Sequence, residues 1–132
     1  MRINYFSPLP ELRTEIANMS AVVLPELGRM AEVRAWTPQA EWRADRAQNY
    51  DIRRFDPEAP PVRDLNWADV NIYNIGNNAH FHRAIFDVAR RMPGIHILHD
   101  VRLAHFFGAY AERPGPDRHY FCLLYTSPSP RD

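Results

Sequence analysis

Short β-prone runs alternate with segments of helical period along this chain, and that alternation restricts the fold more than any other feature. Residues 2–6 (Arg-Ile-Asn-Tyr-Phe) form the first run, and Ser7-Pro8-Leu9-Pro10 closes it. Two prolines so close together forbid continuation of either strand or helix. Thr14 has the side chain of an N-cap, and Ile16, Met19, Val23 and Leu27 then recur at helical spacing through Arg29. Pro25 inside that pattern is expected to kink the helix or start a new turn. Residues 31–37 alternate apolar with polar and stop at Pro38, which reads as a second strand.

Residues 38–66 show little periodicity and read as a long loop carrying one edge strand at 50–55. Residues 69–75 alternate again and run into the turn Gly76-Asn77-Asn78. A helix from about His80 to Arg91 follows, with Phe81, Ile85, Val88 and Ala89 on one face, and Pro93-Gly94 ends it. Residues 95–99 read as a buried strand, followed by Asp100 and a helix through Leu103, Phe106, Phe107 and Tyr110, closed by Gly115 and its flanking prolines. Strands alternating with helices of this length predict an α/β fold, a Rossmann-like parallel sheet flanked by helices, open or doubly wound.

The 132 residues suffice for one domain, and 16 basic side chains balance 16 acidic ones. Neutrality removes the charge signature of a nucleic-acid binder, and none is expected as a partner. Apolar residues at 45% exclude intrinsic disorder. Every basic residue is Arg, which fits a GC-rich bacterial gene. No apolar run approaches the roughly 20 residues of a membrane helix, and the N-terminus lacks a signal pattern. The expected compartment is the cytoplasm, with peripheral attachment at the inner membrane as an alternative.

Residues 122–132 (Cys-Leu-Leu-Tyr-Thr-Ser-Pro-Ser-Pro-Arg-Asp) break the pattern. Codons for this peptide can spell a string resembling the transposon-end adapter of DNA library preparation. The expectation is an adapter-derived, disordered tail with an artificial Cys122, behind a natural sequence that stops near Phe121 and belongs to a longer protein.

In parallel sheets ligands sit at the carboxyl ends of the strands. Three loops qualify: Ser7 to Arg13, Gly76 to His82, and His99 to Arg102. Gly76 at a strand end permits positive φ and close backbone approach, and the helix after Asn77-Asn78 offers free N–H groups to an anion or a hydroxyl. The blander reading is a tight turn with Asn as N-cap. Neither the dinucleotide nor the P-loop fingerprint is present. His80, His82, His99 and Asp100 contain metal-ligating types, but residues two apart on a helix face differently, so no metal or other cofactor is expected. His99, ending an apolar strand, is placed to donate to a sugar hydroxyl or phosphate, or else to bond a carbonyl in the core. Asp100 suits an N-cap of the next helix or an acceptor for sugar hydroxyls. Burial is the expected fate of Trp36, Trp42 and Trp67, and solvent that of Arg53-Arg54 and Arg90-Arg91.

Taken together, Tyr5 to Pro10, Thr14 to Ser20, Leu24-Pro25-Glu26-Leu27, Tyr73 to Asn78, and Pro93-Gly94 leading to Leu98-His99-Asp100 resemble the N-terminal domain of bacterial family-4 retaining glycosyltransferases of GT-B architecture. The likeness spans Met1 to Phe121. It implies the acceptor-side half of a two-domain enzyme, incomplete here, whose partners are a nucleotide-sugar donor and a glycan or lipid-linked acceptor. It also implies that the loop from Ser7 through Pro8, Thr14, Glu15 and Ile16 approaches acceptor and donor diphosphate. His99 would touch the transferred sugar as the catalytic residue, and Gly76, Asn77, Asn78, His82 and Asp100 would complete the substrate contacts. The family's small Ser-Gly-Ile step is Thr14-Glu15-Ile16 here, placing a carboxylate where the diphosphate would lie. The groups that neutralise the leaving phosphates belong to the family's second domain, so the fragment is expected to be inactive alone. The alternatives from the residues themselves are a stand-alone Rossmann-like module that binds an anion or nucleotide at Gly76 to Asn78, and an interaction domain.

Overall fold

In the computed structural model, which describes residues 1–43 and 48–112, five strands form one sheet: β1 (Arg2–Phe6), β2 (Glu32–Thr37), β3 (Asp51–Arg54), β4 (Val70–Ile75) and β5 (Ile95–Leu98). Their order is β3-β2-β1-β4-β5, and every pairing is parallel. Helices α1 (Glu15–Met30), α2 (Val62–Leu65), α3 (Ala79–Ala89) and α4 (Ala104–Ala111) complete the chain order. This is the Rossmann-like α/β arrangement that the alternation predicts.

Side chains alternate across a strand, so each strand feeds two cores. Ile3 and Tyr5 of β1 pack with Val33, Ala35 and Leu24 of α1. Phe6 turns to the other face with Trp36, Tyr73 and Ile75, where α3 adds Ile85 and Val88. The register brings Phe6 level with both Trp36 and Tyr73, and its ring stacks on them at 6.2 and 4.9 Å. Tyr73 keeps its hydroxyl satisfied by donating to Met92 O at 2.9 Å, and burial pushes that hydroxyl's pKa up to about 12.

A polar ladder crosses the buried middle of the sheet. Trp36 Nε1 donates to Asn4 Oδ1 at 2.8 Å, Asn4 Nδ2 donates to Asn71 Oδ1 at 2.9 Å and to Leu65 O at 2.8 Å, and Asn71 Nδ2 donates to Pro93 O at 3.1 Å. Amides this deep are tolerated because they find partners. Gly94 is required beside the ladder, since a Cβ there would collide with Asn71 O and the Tyr73 ring.

Helix α1 carries Pro25 in its interior and continues to Met30, its Thr14 Oγ1 accepting from Ala17 N at 3.0 Å as an N-cap. Three expectations are corrected. Strand β5 is not buried: it is outermost in the sheet, and Ile95 and Leu98 remain 56% and 58% exposed. The stretch 38–66 holds the short helix α2 as well as the edge strand β3. Of the tryptophans Trp36 is buried, but Trp42 and Trp67 are only partly so, with the Arg34 guanidinium 3.7 Å over the Trp67 ring. The tail at 122–132, Cys122, Gly115 and the domain end at Phe121 lie outside the described residues. Among the described residues, no helix is long and apolar enough to cross a membrane.

Candidate functional site

Strand β1 sits between β2 and β4, so the chain leaves β1 toward one side of the sheet while β4 leads to the other. The loops part at that switch point, and open α/β sheets bind ligands in the crevice this creates. A cleft of about 580 Å³ lies there. The start of α1 supplies Thr14, Glu15, Ile16 and Met19. The turn after β4 supplies Gly76, Asn77 and Asn78, with Phe81 and His82 from α3. The loop after β5 adds His99 and Asp100. Gly76 and His99, from successive loops, thus share one crevice.

Gly76 is needed for space rather than for a left-handed φ. Its backbone φ is not in the positive region, and an added Cβ would lie 2.7 Å from Ile16 Cδ1 and 2.9 Å from His82 Nε2. The missing side chain lets the His82 ring lie against the turn. His82 is 2% exposed, and its Nδ1 lies 3.0 Å from Asn74 O. His99 is half-buried, with Nε2 2.8 Å from Asn74 Oδ1. Burial pushes both imidazoles below the usual histidine range, opposed for His82 by the Asn74 carbonyl and for both by the Asp100 charge. Asn74, 0% exposed, sends its Nδ2 to Phe6 O at 2.9 Å and so ties both rings to the carboxyl end of β1.

The turn residues are largely engaged with each other. Asn78 is the N-cap of α3, its Oδ1 accepting from His80 N at 3.0 Å. Asn77 N donates to Asp100 Oδ2 at 2.7 Å, so an internal carboxylate already occupies one N–H of the turn that leads into α3. Asp100 therefore does not cap α4; the Asn77 side chain does, its Oδ1 accepting from Phe106 N at 3.0 Å. Glu15 stands in the first turn of α1. Both helix N-termini at the cleft thus face a carboxylate of the chain itself.

Ser7 and Pro8, expected at the ligand, are buried and do not line the cleft. Ser7 Oγ donates to Pro8 O at 2.8 Å and lies against Ser20 Oγ, which also meets Tyr5 OH at 3.2 Å. Its hydroxyl is consumed inside the fold. His80 is exposed and packs edge-on against Phe81, pointing away from buried His82. Among the described residues, no three His, Cys, Asp or Glu side chains are grouped to hold a metal ion.

Sequence reasoning placed Ile16 at the site but missed Asn74 and the apolar wall that Met19 and Phe81 build with Ile16. The signal for Asn74 was present: a carboxamide inside an apolar strand must find partners. Comparisons with protein-family models, curated proteins and solved structures find no match to this chain.

Proposed function

We propose that the chain is the acceptor-side domain of a retaining glycosyltransferase, which moves a sugar from a nucleotide-sugar donor to a glycan or lipid-linked acceptor. The observation that carries this reading is the cleft at the β1/β4 switch point, where neutral imidazoles and two carboxylates stand against the apolar wall of Ile16, Met19 and Phe81. Hydrogen-bond acceptors beside an apolar wall suit a sugar ring, whose hydroxyls donate and whose C–H faces pack. The resemblance of Tyr73 to Asn78 and Leu98 to Asp100 to family-4 glycosyltransferases supports the same reading.

Retaining transfer passes through an oxocarbenium-like state as the diphosphate leaves, and the departing charge must be neutralised. Among the described residues that line the cleft there is no arginine. In this reading the cations belong to a second domain, and this chain orients the acceptor and holds the transferred sugar through His99. The same carboxylates count against a stand-alone nucleotide or phosphate module, because Asp100 already takes one N–H of the turn and adds negative charge beside the others. The test is a transfer assay on the complete gene product with a panel of nucleotide-sugars, beside the 132-residue chain. Turnover by the complete product and none by the chain is expected. A complete product that neither binds nor turns over any of them would defeat the reading.

A further inference from the structure

The two imidazoles of the cleft are both tied to Asn74, and the directions of those hydrogen bonds fix what the rings present. Phe6 O is a carbonyl and only accepts, so the Asn74 group facing it at 2.9 Å is the NH2. Asn74 Oδ1 therefore faces His99 Nε2, which must carry the proton of the 2.8 Å bond. His82 Nδ1 meets Asn74 O, again an acceptor, so Nδ1 is protonated there. In neutral rings this leaves His99 Nδ1 and His82 Nε2 as bare nitrogens, each an acceptor. No hydrogen-bond partner for either stands among the described residues. His82 is 2% exposed yet lines the cleft, and its Nε2 lies beside the open Gly76 position.

We propose that Asn74 is a positioning residue that sets the hydrogen-bonding polarity of the cleft. It holds His99 as the Nε2–H tautomer, so that the site takes the hydroxyl groups of a neutral saccharide and turns away phosphate. This rests on the glycosyltransferase reading for the ligand, but not for the tautomers. Glu15 and Asp100 add negative charge, and the N–H of Asn77 is spent on Asp100. A phosphate would meet the two bare imidazole nitrogens and the two carboxylates, whereas a hydroxyl brings the proton that these groups lack.

Long-range 1H–15N NMR of the imidazoles in the 132-residue chain tests this. Near neutral pH, His99 should show a pyrrole-type Nε2 and a pyridine-type Nδ1, and His82 the reverse. Inorganic phosphate should leave the amides of Asn77, Asn78 and Ala79 unshifted. In Asn74→Asp the new carboxylate should raise the His99 pKa by about one unit or more. His82, held by a main-chain carbonyl that survives the change, should keep its Nδ1–H form and so report that the variant is folded. A wild-type His99 protonated on Nδ1, or saturable phosphate shifts in the turn, overturns the inference whatever the variant does. Failure of sugar transfer by the complete gene product would instead remove the proposed function and leave the tautomers as measured.

Discussion

The main-chain N–H of Asn77 donates to the Asp100 carboxylate at 2.7 Å, so the loop after β5 is clasped to the turn that opens α3. The same Asn77 reaches Phe106 N with its side chain, so one residue joins β4, β5 and α4. Removing the carboxylate in Asp100→Ala should cost about 1 kcal/mol, the scale of an exposed charge-assisted bond. Urea denaturation of both chains measures it, and an unchanged midpoint would show that the clasp contributes nothing.

Gly76→Ala should be more damaging. The new methyl would press on Ile16 Cδ1 and on the His82 ring, and only the first of these can swing aside, because His82 is held by Asn74. A loss of about 1 to 3 kcal/mol is expected for overpacking of this kind. It should appear as a drop of several degrees in Tm, together with a shifted His82 resonance.

Phe6→Ala removes the ring that both Trp36 and Tyr73 stack on. Phe6 is 0% exposed, and such truncations cost about 3 to 5 kcal/mol. Chemical denaturation gives the value; a loss under 1 kcal/mol would contradict the packing described.

Glu11 has φ 90, the one positive φ at a non-glycine position among the described residues. A side chain there is strained, so Glu11→Gly should gain about 0.5 to 1 kcal/mol despite the added freedom of the unfolded chain. A rise in Tm is the readout, and a fall would mean that the Glu11 side chain contributes more than its backbone costs.

The pH dependence follows from His82 and His99, both held below the ordinary value of 6.5 by burial, with Glu15 and Asp100 the charged groups facing the same cleft. A depressed folded pKa means that the unfolded chain binds protons first as pH falls. Their stabilising contribution is therefore complete above about 6.5 and is lost progressively below it, until the folded pKa values are passed. Urea midpoints at pH 7.5 and 5.5 should fall in that order, and His99→Gln should flatten part of the slope.

Much of this architecture was legible because its causes are local. The strand at Arg2–Phe6, the Thr14 cap, the Asn78 cap and the alternation of β4 each depend on a few neighbouring residues. What escaped depends on partners far along the chain. Ser7 is lost to a ligand because Pro8 O and Ser20 Oγ engage its hydroxyl, and Asp100 is diverted from α4 because Asn77 takes it. The apolar run at Ile95–Leu98 reads as buried because composition cannot say that it will stand at the rim of the sheet. The cleft was legible as a set of loops, since strand ends are readable. The tie between its two rings was not, because one residue, Asn74, makes it with its main-chain carbonyl to His82 and its carboxamide to His99.

The ladder from Trp36 through Asn4 and Asn71 to Pro93 also guards against mispairing. Strands rich in interchangeable aliphatic side chains could slide by two positions and keep their greasy faces inward. Any such slip would separate Asn4 from Asn71 and strand unpaired carboxamides in a dry interior, an error far costlier than a misplaced methyl. These few amides thus act as a combination lock on how β1, β2 and β4 zip together during folding.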